Sequence, residues 1–520
     1  MVLSMGGHLF IINGDLTKLA CDAVLIPTDA ASKVEAHWHA VVDSRDTKIP
    51  RPWGADRVAT LTYRPGGPLV ILGNVGQHGV RSGFDAFEPV VREFVLHALK
   101  ELNAAAFQDR KRIYAWPKPR LAVNLVGSGL GGGAAKKGDL VQGLIQALTT
   151  LATENDVDIV LVTYGDKPYA AAQRARRKCI GPNELSDTWR FAQDANPKLI
   201  EKAHQLAEDA IDRQLVLFIG AGVSAGAGLP TWRSLMNDVA KQAGFGENER
   251  KRLAKKDLRD QATLIEQRLA ETSEPLKSRV AVALKSPTRY ALAHGLLASL
   301  PSTEAVTTNF DTLFELASKV RGRDVAVLPE DPRTTGGRLL LKLHGSVSHP
   351  DRMVLTRADY LKMPRDYGAL MGLVQGLLLM RRMVFVGYSL TDEDFHELID
   401  EVRAARGEGN SGVGRGVVLT LQRDHLEEQL WENDLDIIPM IARGETDIPT
   451  AARELELFLD LVGYLSTTSA SFFLDEAYDD LSDDEKGLRE ALRALAKDTA
   501  GSDLDTVSHL VEKFLKRLGA

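Results

Sequence analysis

Apolar and polar positions along the first third of the chain predict strands that alternate with helices. Short apolar runs predict strands, and two longer stretches space their apolar residues as an amphipathic helix does. The predicted strands are residues 8–12, 21–26, 69–72, 121–126 and 157–163, and the predicted helices are 87–102 and 140–152. This alternation is typical of an α/β layer fold, and we expect a first domain over residues 1–180.

A further apolar run, residues 215–219, ends in a glycine-rich turn. The run is continuously apolar, which is typical of a parallel strand buried on both faces. Gly220, Gly222 and Ala225 form a Gly-x-Gly-x-x-Ala fingerprint of the dinucleotide-binding type. Taken alone, the turn fits two interpretations: a plain strand–helix corner, or a loop whose N–H groups approach a phosphate at a helix N-terminus.

Three more apolar runs end in polar side chains, after a stretch at 232–299 whose pattern predicts helices. The runs are residues 304–308, 339–343 and 383–387, with a weaker one at 417–421. In a parallel sheet the carboxyl ends of the strands meet at one edge, where ligands bind. We therefore expect Asn309, His344 and Ser389 to share a site, with the helical stretch inserted over it.

Beyond residue 445 the pattern becomes helical, and we expect a helical segment over 446–520. Ser482 and Glu485 have the spacing of a capping box. An apolar stripe at helical spacing follows: Val507, Leu510, Val511, Phe514, Leu515 and Leu518. Such a stripe either packs against the body of the protein or forms a surface for self-association or a partner.

Composition narrows the class of protein. The chain has 520 residues and a net charge of −7 with both signs interspersed, which argues against a dedicated nucleic-acid surface. Cys21 and Cys179 are its two cysteines, so one chain can build neither a disulfide framework nor a four-cysteine zinc site, and we expect no metal. No run reaches membrane-spanning length and no signal pattern opens the chain, so we expect no membrane contact and a cytoplasmic location.

The strand ends of the middle region carry four motifs. They are Gly220-Ala221-Gly222-Val-Ser224, Thr308-Asn309-Phe-Asp311, Lys342-Leu-His344-Gly345-Ser346 and Gly387-Tyr-Ser389-Leu-Thr-Asp392-Glu-Asp394-Phe. In this order they resemble the sirtuin-like (silent information regulator) domain over about residues 195 to 441. The resemblance implies a Rossmann-like parallel-sheet domain with a helical insertion, for which we expect the bounds 195–445.

Departures from the protein-deacylating sirtuins indicate a subfamily. Those enzymes hold zinc with two cysteine pairs and continue the glycine loop as Pro-Asp-Phe-Arg. This chain has no cysteine after Cys179 and reads Pro230-Thr-Trp232-Arg233. The Gly-Tyr-Ser-Leu-Thr-Asp-x-Asp-Phe motif is similar to that of bacterial sirtuin-like NADases, effectors of antiphage defence. The resemblance implies that NAD is the substrate and is cleaved to nicotinamide and ADP-ribose.

The resemblance also implies roles for single residues. Asn309 would hold the attacking water or a ribose hydroxyl, His344 would act as general base, and Asp311 would orient these groups or stabilise the developing cation. The expected NAD-binding residues are Gly220, Ala221, Gly222 and Ser224 at the diphosphate, Gly387 and Ser389 at the adenosine, and Thr308. The plainer alternatives are that Asn309 is a strand-end cap and His344 a satisfied polar side chain.

The first domain carries motifs of its own. They are Gly14-Asp15-Leu-Thr17, Asp22-Ala-Val-Leu-Ile26 and Gly127-Ser128-Gly129-Leu130, and they resemble the macro domain, an ADP-ribose-binding fold. The resemblance implies that Asp15 binds adenine and that the loop with Ser128 and Gly129 wraps a diphosphate. The family's Asn-Ala-Ala-Asn stretch reads Pro27-Thr-Asp29-Ala here, and Gly131 replaces an aromatic residue. The alternative for residues 127–133 is a flexible turn without a ligand.

Three functions are compatible with these patterns. The first is an NAD-hydrolysing effector regulated by the macro-like domain or by homo-oligomerisation, with a partner ATPase or a phage-derived trigger among its expected partners. The second is an NAD-dependent protein deacylase, against which the missing zinc cysteines count. The third is a non-enzymatic nucleotide-sensing module of a larger assembly, against which Asn309 and His344 count.

Overall fold

The computed structural model describes residues 6–43, 46, 49–50, 53–76, 83–104, 114, 116–126, 137–181, 184–270, 274–285, 288–320, 324–332, 337–388, 390, 393–406, 416–444, 446–499 and 506–519. For residues 393–394, 405–406, 499 and 506–507 only the backbone is described. The chain forms two compact units. The first is Met1–Ala192, Val320–Gly322 and Asp460–Ala520, and the second is Gln193–Lys319 and Arg323–Leu459. The domain bounds 1–180, 195–445 and 446–520 stay a prediction.

Strands and helices alternate along the chain, as predicted. The strands are β1 Leu9–Asn13, β2 Ala23–Thr28, β3 Val58–Thr60, β4 Leu69–Asn74, β5 Arg120–Asn124, β6 Asp158–Thr163, β7 Leu215–Ile219, β8 Glu304–Thr307, β9 Val325–Leu328, β10 Arg338–Lys342, β11 Arg382–Val386, β12 Gly416–Gln422 and β13 Leu435–Ile441. The helices are α1 Glu88–Asn103, α2 Lys137–Glu154, α3 Asp166–Cys179, α4 Leu185–Thr188, α5 Leu199–Ile211, α6 Gly222–Ala225, α7 Trp232–Gln242, α8 Glu247–Leu253, α9 Leu258–Leu269, α10 Leu276–Leu284, α11 Leu292–Ser299, α12 Leu313–Ser318, α13 Arg357–Asp366, α14 Gly368–Met380, α15 Glu393–Arg406, α16 His425–Trp431, α17 Ile448–Ser466, α18 Asp483–Thr499 and α19 Thr506–Arg517. Short 3-10 helices cover Leu16–Lys18, Ala36–Trp38, Phe84–Ala86 and Pro350–Arg352.

A six-stranded sheet forms the middle of the first unit. Its strand order is β1-β6-β5-β2-β4-β3, and neighbours run parallel except for β3, which is antiparallel to β4. β1 and β6 are buried along their whole length, which explains why their apolar runs are continuous. Phe94 of α1 and Leu144 of α2 lie in the core beside this sheet. The predicted α/β fold class is therefore confirmed.

A buried ion cluster joins several segments of the first unit at the carboxylate of Asp460 in α17. His8 Nε2 lies 2.8 Å from Oδ2, Arg176 donates to the two carboxylate oxygens at 3.1 and 2.9 Å, and Trp189 Nε1 donates at 2.9 Å. Burial alone would raise the pKa of Asp460, but Arg176 and His8 outweigh it and hold the pKa at about 2. The cluster therefore ties the start of β1 and α3 to the C-terminal part of the chain.

We expect Asp460→Asn to lower the opening free energy of β1 and α3 by about 3–5 kcal/mol at pH 7, because Arg176 then stays buried without its counter-charge. Hydrogen exchange of the full chain, read by mass spectrometry, measures this. Since the pKa lies below the ordinary 3.8, the stabilisation is complete above about pH 4 and is lost as the pH falls toward 2.

Asp483→Asn is the matched control for this experiment. The Asp483 side chain is 99% exposed, so its replacement should change the opening free energy by less than about 0.5 kcal/mol. Equal exchange rates in the Asp460 and Asp483 variants would contradict a stabilising role for the cluster.

A seven-stranded parallel sheet forms the middle of the second unit, in the order β13-β12-β11-β7-β8-β10-β9. Between β7 and β8 the chain forms helices α6 to α11, which confirms the predicted helical insertion. Four neighbouring strands end level with one another, because Val386 pairs with Ile219, Ile219 with Thr307, and Thr307 with Lys342. The residues that follow these strands therefore emerge at one edge of the sheet.

The C-terminal stretch is helical, as predicted. The Ser482 N–H donates to Glu485 Oε2 at 2.9 Å and the Glu485 N–H to Ser482 Oγ at 3.3 Å, which is the predicted capping box. In α19, Leu515 is buried in the core of the first unit, whereas Leu510 and Phe514 are exposed. One side of the predicted apolar stripe thus packs into the core of the first unit, to which α19 belongs. Within the ranges given above, the structure has no helix of the length and apolarity that crossing a membrane requires.

Candidate active site

A cavity of about 510 Å³ opens at the carboxyl edge of the seven-stranded sheet. Residues predicted for the site that line it are Ala221, Gly222, Ser224, Thr308, Asn309, Asp311, His344 and Gly387. Polar and aromatic lining residues without a predicted role are Trp232, Asp257, Arg259, Phe310, Tyr360 and Tyr388. Gly220 directly follows β7, and Ser389 lies outside the described residues. The level strand ends and the helical insertion thus build the cavity together.

Glycines allow the ends of β7 and β11 to touch. A Cβ atom on Gly220 would lie 2.4 Å from the Gly387 carbonyl oxygen, and one on Gly387, whose φ is +66°, would lie 2.6 Å from the Val223 nitrogen. The Gly220 N–H donates to the Val386 carbonyl and the Gly222 N–H to the Gly387 carbonyl, both at 2.9 Å. Both amides donate within the protein, and the expectation that these residues bind a diphosphate stays a prediction.

The hydroxyl of Ser224 connects three side chains at the floor of the cavity. Its oxygen lies 2.9 Å from Asp311 Oδ2, 3.3 Å from His294 Nε2 and 3.3 Å from Asn309 Nδ2. All four residues are buried, and His294 comes from α11 of the insertion. No role was predicted for His294, because a single histidine on an otherwise apolar helix gives no local signal of a ligand or catalyst.

Hydrogen-bond directions determine what this cluster can do. The Ala291 N–H donates to His294 Nδ1 at 3.2 Å, so Nε2 carries the proton and donates to Ser224. Ser224 then accepts from His294 and from Asn309, and its own proton points to Asp311. Burial lowers the pKa of His294 to about 4, although the charge of Asp311 opposes this, so the ring is neutral at pH 7.

The cluster is therefore not a hydrolytic Ser-His-Asp triad. In such a triad the histidine accepts the serine proton and the aspartate bonds to the histidine. Here His294 Nε2 is a donor, and Asp311 bonds to the serine. Ser224 acts as a junction that positions its neighbours.

The side chain of Asn309 donates two hydrogen bonds, and its backbone N–H donates a third. Its Nδ2 donates to the Gly220 carbonyl at 3.1 Å and to Ser224 at 3.3 Å, while its backbone N–H donates to Thr307 Oγ1 at 3.0 Å. Because both amide hydrogens are used, Oδ1 is the atom of this side chain that can accept from a water or a ligand hydroxyl. The strand-end role is therefore observed, and a role of Asn309 in the site stays a prediction.

A buried lysine fixes the loop that carries Asp311. Lys342 has no exposed surface, and its Nζ donates to the Asp311 carbonyl and, at 2.8 Å, to Glu315 Oε1. Burial raises the pKa of Glu315, and the charge of Lys342 opposes that shift. Asp311 Oδ1 also accepts from the Leu313 N–H at 3.0 Å. The signal in the sequence is a lysine within the apolar run at residues 339–343, for which no structural role was predicted.

Aromatic rings surround His344. Its ring packs against Tyr360 in a T-shaped arrangement at 5.4 Å between centroids. It also lies 6.4 Å from Phe310, which in turn is 5.8 Å from Trp232. The His344 side chain is buried at the cavity wall. Rings arranged in this way favour a flat ligand ring, and their faces also attract a cationic one.

Of the ligand-binding residues predicted in the first unit, the structure describes Asp15 but not Ser128 and Gly129. Asp15 Oδ1 accepts from the Thr17 N–H at 2.9 Å and from Thr17 Oγ1 at 2.7 Å, so it caps the 3-10 helix that follows. Ser128 and Gly129 lie outside the described residues. In the part of the chain that the structure describes, no group of three or more His, Cys, Asp or Glu side chains has the arrangement of a metal site.

The comparison with protein families concerns the region that holds the cavity. Residues 303–440 match the family model of the SIR2-like domain. This match confirms the resemblance predicted from the strand-end motifs, and its range includes Asn309, Asp311 and His344.

Several curated proteins are similar to parts of the chain. The NAD(+) hydrolase ThsA of Bacillus cereus (strain MSX-D12) is 26% identical over 207 residues, which are 38% of this chain and 42% of that protein. The NAD(+) hydrolase ThsA of Enterococcus faecium is 24% identical over 324 residues, 60% of this chain and 63% of that protein. Defense-associated sirtuin 2 of Bacillus subtilis is 24% identical over 219 residues, 39% of this chain and 21% of that protein. The chain thus spans less than two thirds of the length of each relative.

Solved structures similar to part of the chain are macrodomains. The Oceanobacillus iheyensis macrodomain with MES bound is 12% identical and matches 34% of this chain and 96% of its own, with a TM-score of 0.26. The same macrodomain with ADP is 14% identical and matches 34% of this chain and 95% of its own, also with a TM-score of 0.26.

We expect the second unit to lose stability as the pH falls from about 6.5 to about 4. Below pH 6.5 the histidine of the unfolded chain takes up a proton, while His294 in the folded protein stays neutral until its pKa of about 4. The loss should reach about 3 kcal/mol over this range. Urea unfolding at several pH values measures it, and His294→Gln should remove this part of the pH dependence.

His204→Gln is the matched control, because His204 is exposed on α5. Its replacement should leave the pH dependence of stability unchanged. An NMR titration of ring-labelled histidine that gave His294 a midpoint near 6.5 would contradict the assignment of a buried neutral ring.

Proposed function

We propose that the second unit hydrolyses NAD to nicotinamide and ADP-ribose. The observation that supports this most is that the Asn309 amide and the His344 imidazole line one cavity together with aromatic rings. The family match over residues 303–440 and the relatives named NAD(+) hydrolase support the same reaction.

The reaction breaks the bond between C1′ of the ribose and N1 of the nicotinamide. The bonding electrons leave with nicotinamide, which departs as a neutral molecule, and positive charge builds on the ribose. The protein has to orient a water and stabilise this charge. Asn309 Oδ1 accepts a hydrogen bond from the water or from a ribose hydroxyl, and His344 takes the proton as the water oxygen bonds to C1′. Asp311, held by Ser224, contributes a negative charge beside the developing cation.

The aromatic wall suits the nicotinamide end of this substrate. The nicotinamide ring of NAD is flat and positively charged, and the faces of Trp232 and Phe310 attract such a ring, whereas the Arg259 guanidinium stacks on Tyr360. Cleavage removes the charge, so the same rings hold the product more weakly. The wall therefore favours binding of the substrate and release of nicotinamide.

The proposed cellular role is depletion of NAD in antiphage defence. One relative carries the name defense-associated sirtuin, which supports this role. In this proposal the first unit regulates the hydrolase through an ADP-ribose-type ligand, or assembly into a homo-oligomer does so. The macro-like motifs around Asp15 support the ligand-dependent form.

We expect Asn309→Ala and His344→Ala each to lower kcat for NAD cleavage by about 10²–10⁴-fold, because each removes a group that acts on the water or its proton. Release of nicotinamide from NAD, followed by chromatography, measures the rate. The controls are Asn237→Ala and His349→Ala, which replace exposed residues of the same types in the same unit and should keep wild-type rates.

Two results would contradict the hydrolase. Wild-type protein that releases no nicotinamide, even in extract from phage-infected cells, would refute it. Nicotinamide release that depends on an added acetyl-lysine peptide would identify a protein deacylase instead.

We expect Asp15→Asn to weaken ADP-ribose binding by the first unit about tenfold. This variant keeps an oxygen for the Thr17 hydrogen bonds and removes the charge, so it tests ligand binding rather than the cap. Isothermal calorimetry with ADP-ribose measures binding. Unchanged affinity in the variant would leave the first unit as a structural or partner-binding module.

A further inference from the structure

An ion pair joins the helical insertion to the first turn of α13. Lys277 lies in α10, and its Nζ is 2.9 Å from Asp359 Oδ1, with the two side chains 19% and 18% exposed. Arg357 of the same turn pairs with Asp257 and Asp260, but these side chains are between 41% and 47% exposed. Exposed pairs contribute little, whereas a shielded charge that loses its partner is poorly solvated. The Lys277 pair is therefore the stronger link between the insertion and this turn.

Asp359 also organises the backbone before α13. Its Oδ2 accepts the N–H groups of Leu355 and Thr356, at 3.1 and 3.0 Å, and the Thr356 hydroxyl at 3.0 Å. Burial raises the pKa of Asp359, but hydrogen bonds from Lys277 and from this turn lower it below its usual range, so the carboxylate is charged at pH 7. One carboxylate oxygen thus binds Lys277 and the other binds the turn.

The segment around Asp359 contacts His344 in two ways. The Val354 N–H donates to the His344 carbonyl at 2.9 Å. Tyr360, the residue after Asp359, packs against the His344 ring in a T-shaped arrangement at 5.4 Å between centroids. Leu355 and Tyr360 also line the same cavity as His344. A shift of this segment would therefore move both the backbone contact and the ring contact of His344.

We propose that Lys277 is a positioning residue for His344 and that the helical insertion acts on the reaction through it. This inference rests on the proposed NAD hydrolysis. Proton transfer needs the base within hydrogen-bond distance of the water, and a misplacement of about 1 Å can lower a rate about 100-fold. Without Lys277 the Asp359 turn loosens, and His344 meets the water in a smaller share of the substrate complexes. The loss then falls on kcat rather than on KM.

The test compares Lys277→Met and Lys277→Arg with Lys251→Met in the full chain. Methionine keeps an apolar stem without the charge, whereas arginine keeps the charge. Lys251 is the matched control, because it belongs to the same insertion and its pair with Glu247 is exposed, at 69% and 72%. We expect Lys277→Met to lower kcat for NAD about tenfold with KM within about threefold of wild type. Lys277→Arg should recover most of the rate, and Lys251→Met should behave as wild type.

A double-mutant cycle tests whether the pair acts as one unit. Asp359→Asn keeps an oxygen for the N–H groups of the turn and removes the charge that binds Lys277. It should lower kcat as Lys277→Met does, and the double variant should be no slower than either single variant. Effects that multiply in the double variant would overturn the inference. An unchanged kcat in Lys277→Met, or an equal loss in Lys277→Met and Lys277→Arg, would also overturn it.

Hydrogen exchange tests the inference without the reaction. The N–H groups of Leu355 and Thr356 donate to Asp359, so Lys277→Met should raise their exchange rates at least tenfold, while Lys251→Met should not. If wild-type protein does not cleave NAD, faster exchange confined to residues 353–360 would still support the hold of Lys277 on this turn, and the hydrolase alone would be refuted. Unchanged exchange in Lys277→Met, or equally fast exchange in β7 and β11, would overturn the inference.

Discussion

The candidate site depends on one hydroxyl group. Ser224 accepts hydrogen bonds from His294 and Asn309 and donates its proton to Asp311, so three buried polar groups satisfy one another through a single oxygen. An unsatisfied polar group in this position would cost on the order of 1–3 kcal/mol. The network therefore holds each member in one orientation, and it directs the Asn309 oxygen, rather than its N–H groups, toward a ligand. Ser224 lies near a histidine and an aspartate, but it accepts from the histidine and donates to the aspartate. These directions differ from those of a catalytic triad, so the serine positions its neighbours.

In both units, buried charges are stabilised by hydrogen-bonded partners. Asp460 and Lys342 lie away from water, where a lone charge would be prohibitive. Donors, among them the Arg176 cation, surround the Asp460 carboxylate, and the Lys342 ammonium donates to the Asp311 carbonyl and to the Glu315 carboxylate. In the first unit the partners come from His8, Arg176 and Trp189, so the cluster joins segments that are far apart in the chain. In the second unit Lys342 supports the loop after β8 and so supports Asp311. The paired charges thus stabilise the packing of the first unit and, in the second unit, the loop that carries Asp311.

The cavity combines two kinds of wall. The strand ends supply an amide, a carboxylate and an imidazole, while Trp232, Phe310 and Tyr360 supply rings. Contact between Gly220 and Gly387 brings the β7 and β11 ends together and uses two backbone amides to do so. The loop at this contact lines the cavity through Ala221 and Gly222. A wall of strand-end polar groups and aromatic rings suits a ligand that has a sugar and a flat ring.

Continuous apolar runs in the sequence predict the strands, because a parallel strand that is covered on both faces has apolar side chains on both faces. The strand ends meet at one edge of a parallel sheet, so the proximity of Asn309, Asp311 and His344 followed from the order of the motifs alone. Tertiary structure decided the rest. His294 reaches Ser224 across 70 residues of chain, from a helix in which every residue is buried, and Arg259 meets Tyr360 from a separate helix. The two amides of Gly220 and Gly222 are used by the neighbouring strand end. The periodicity of apolar residues in the sequence predicts which positions are buried. The direction of a hydrogen bond and the contacts of a ring depend instead on side chains that come from distant segments of the chain.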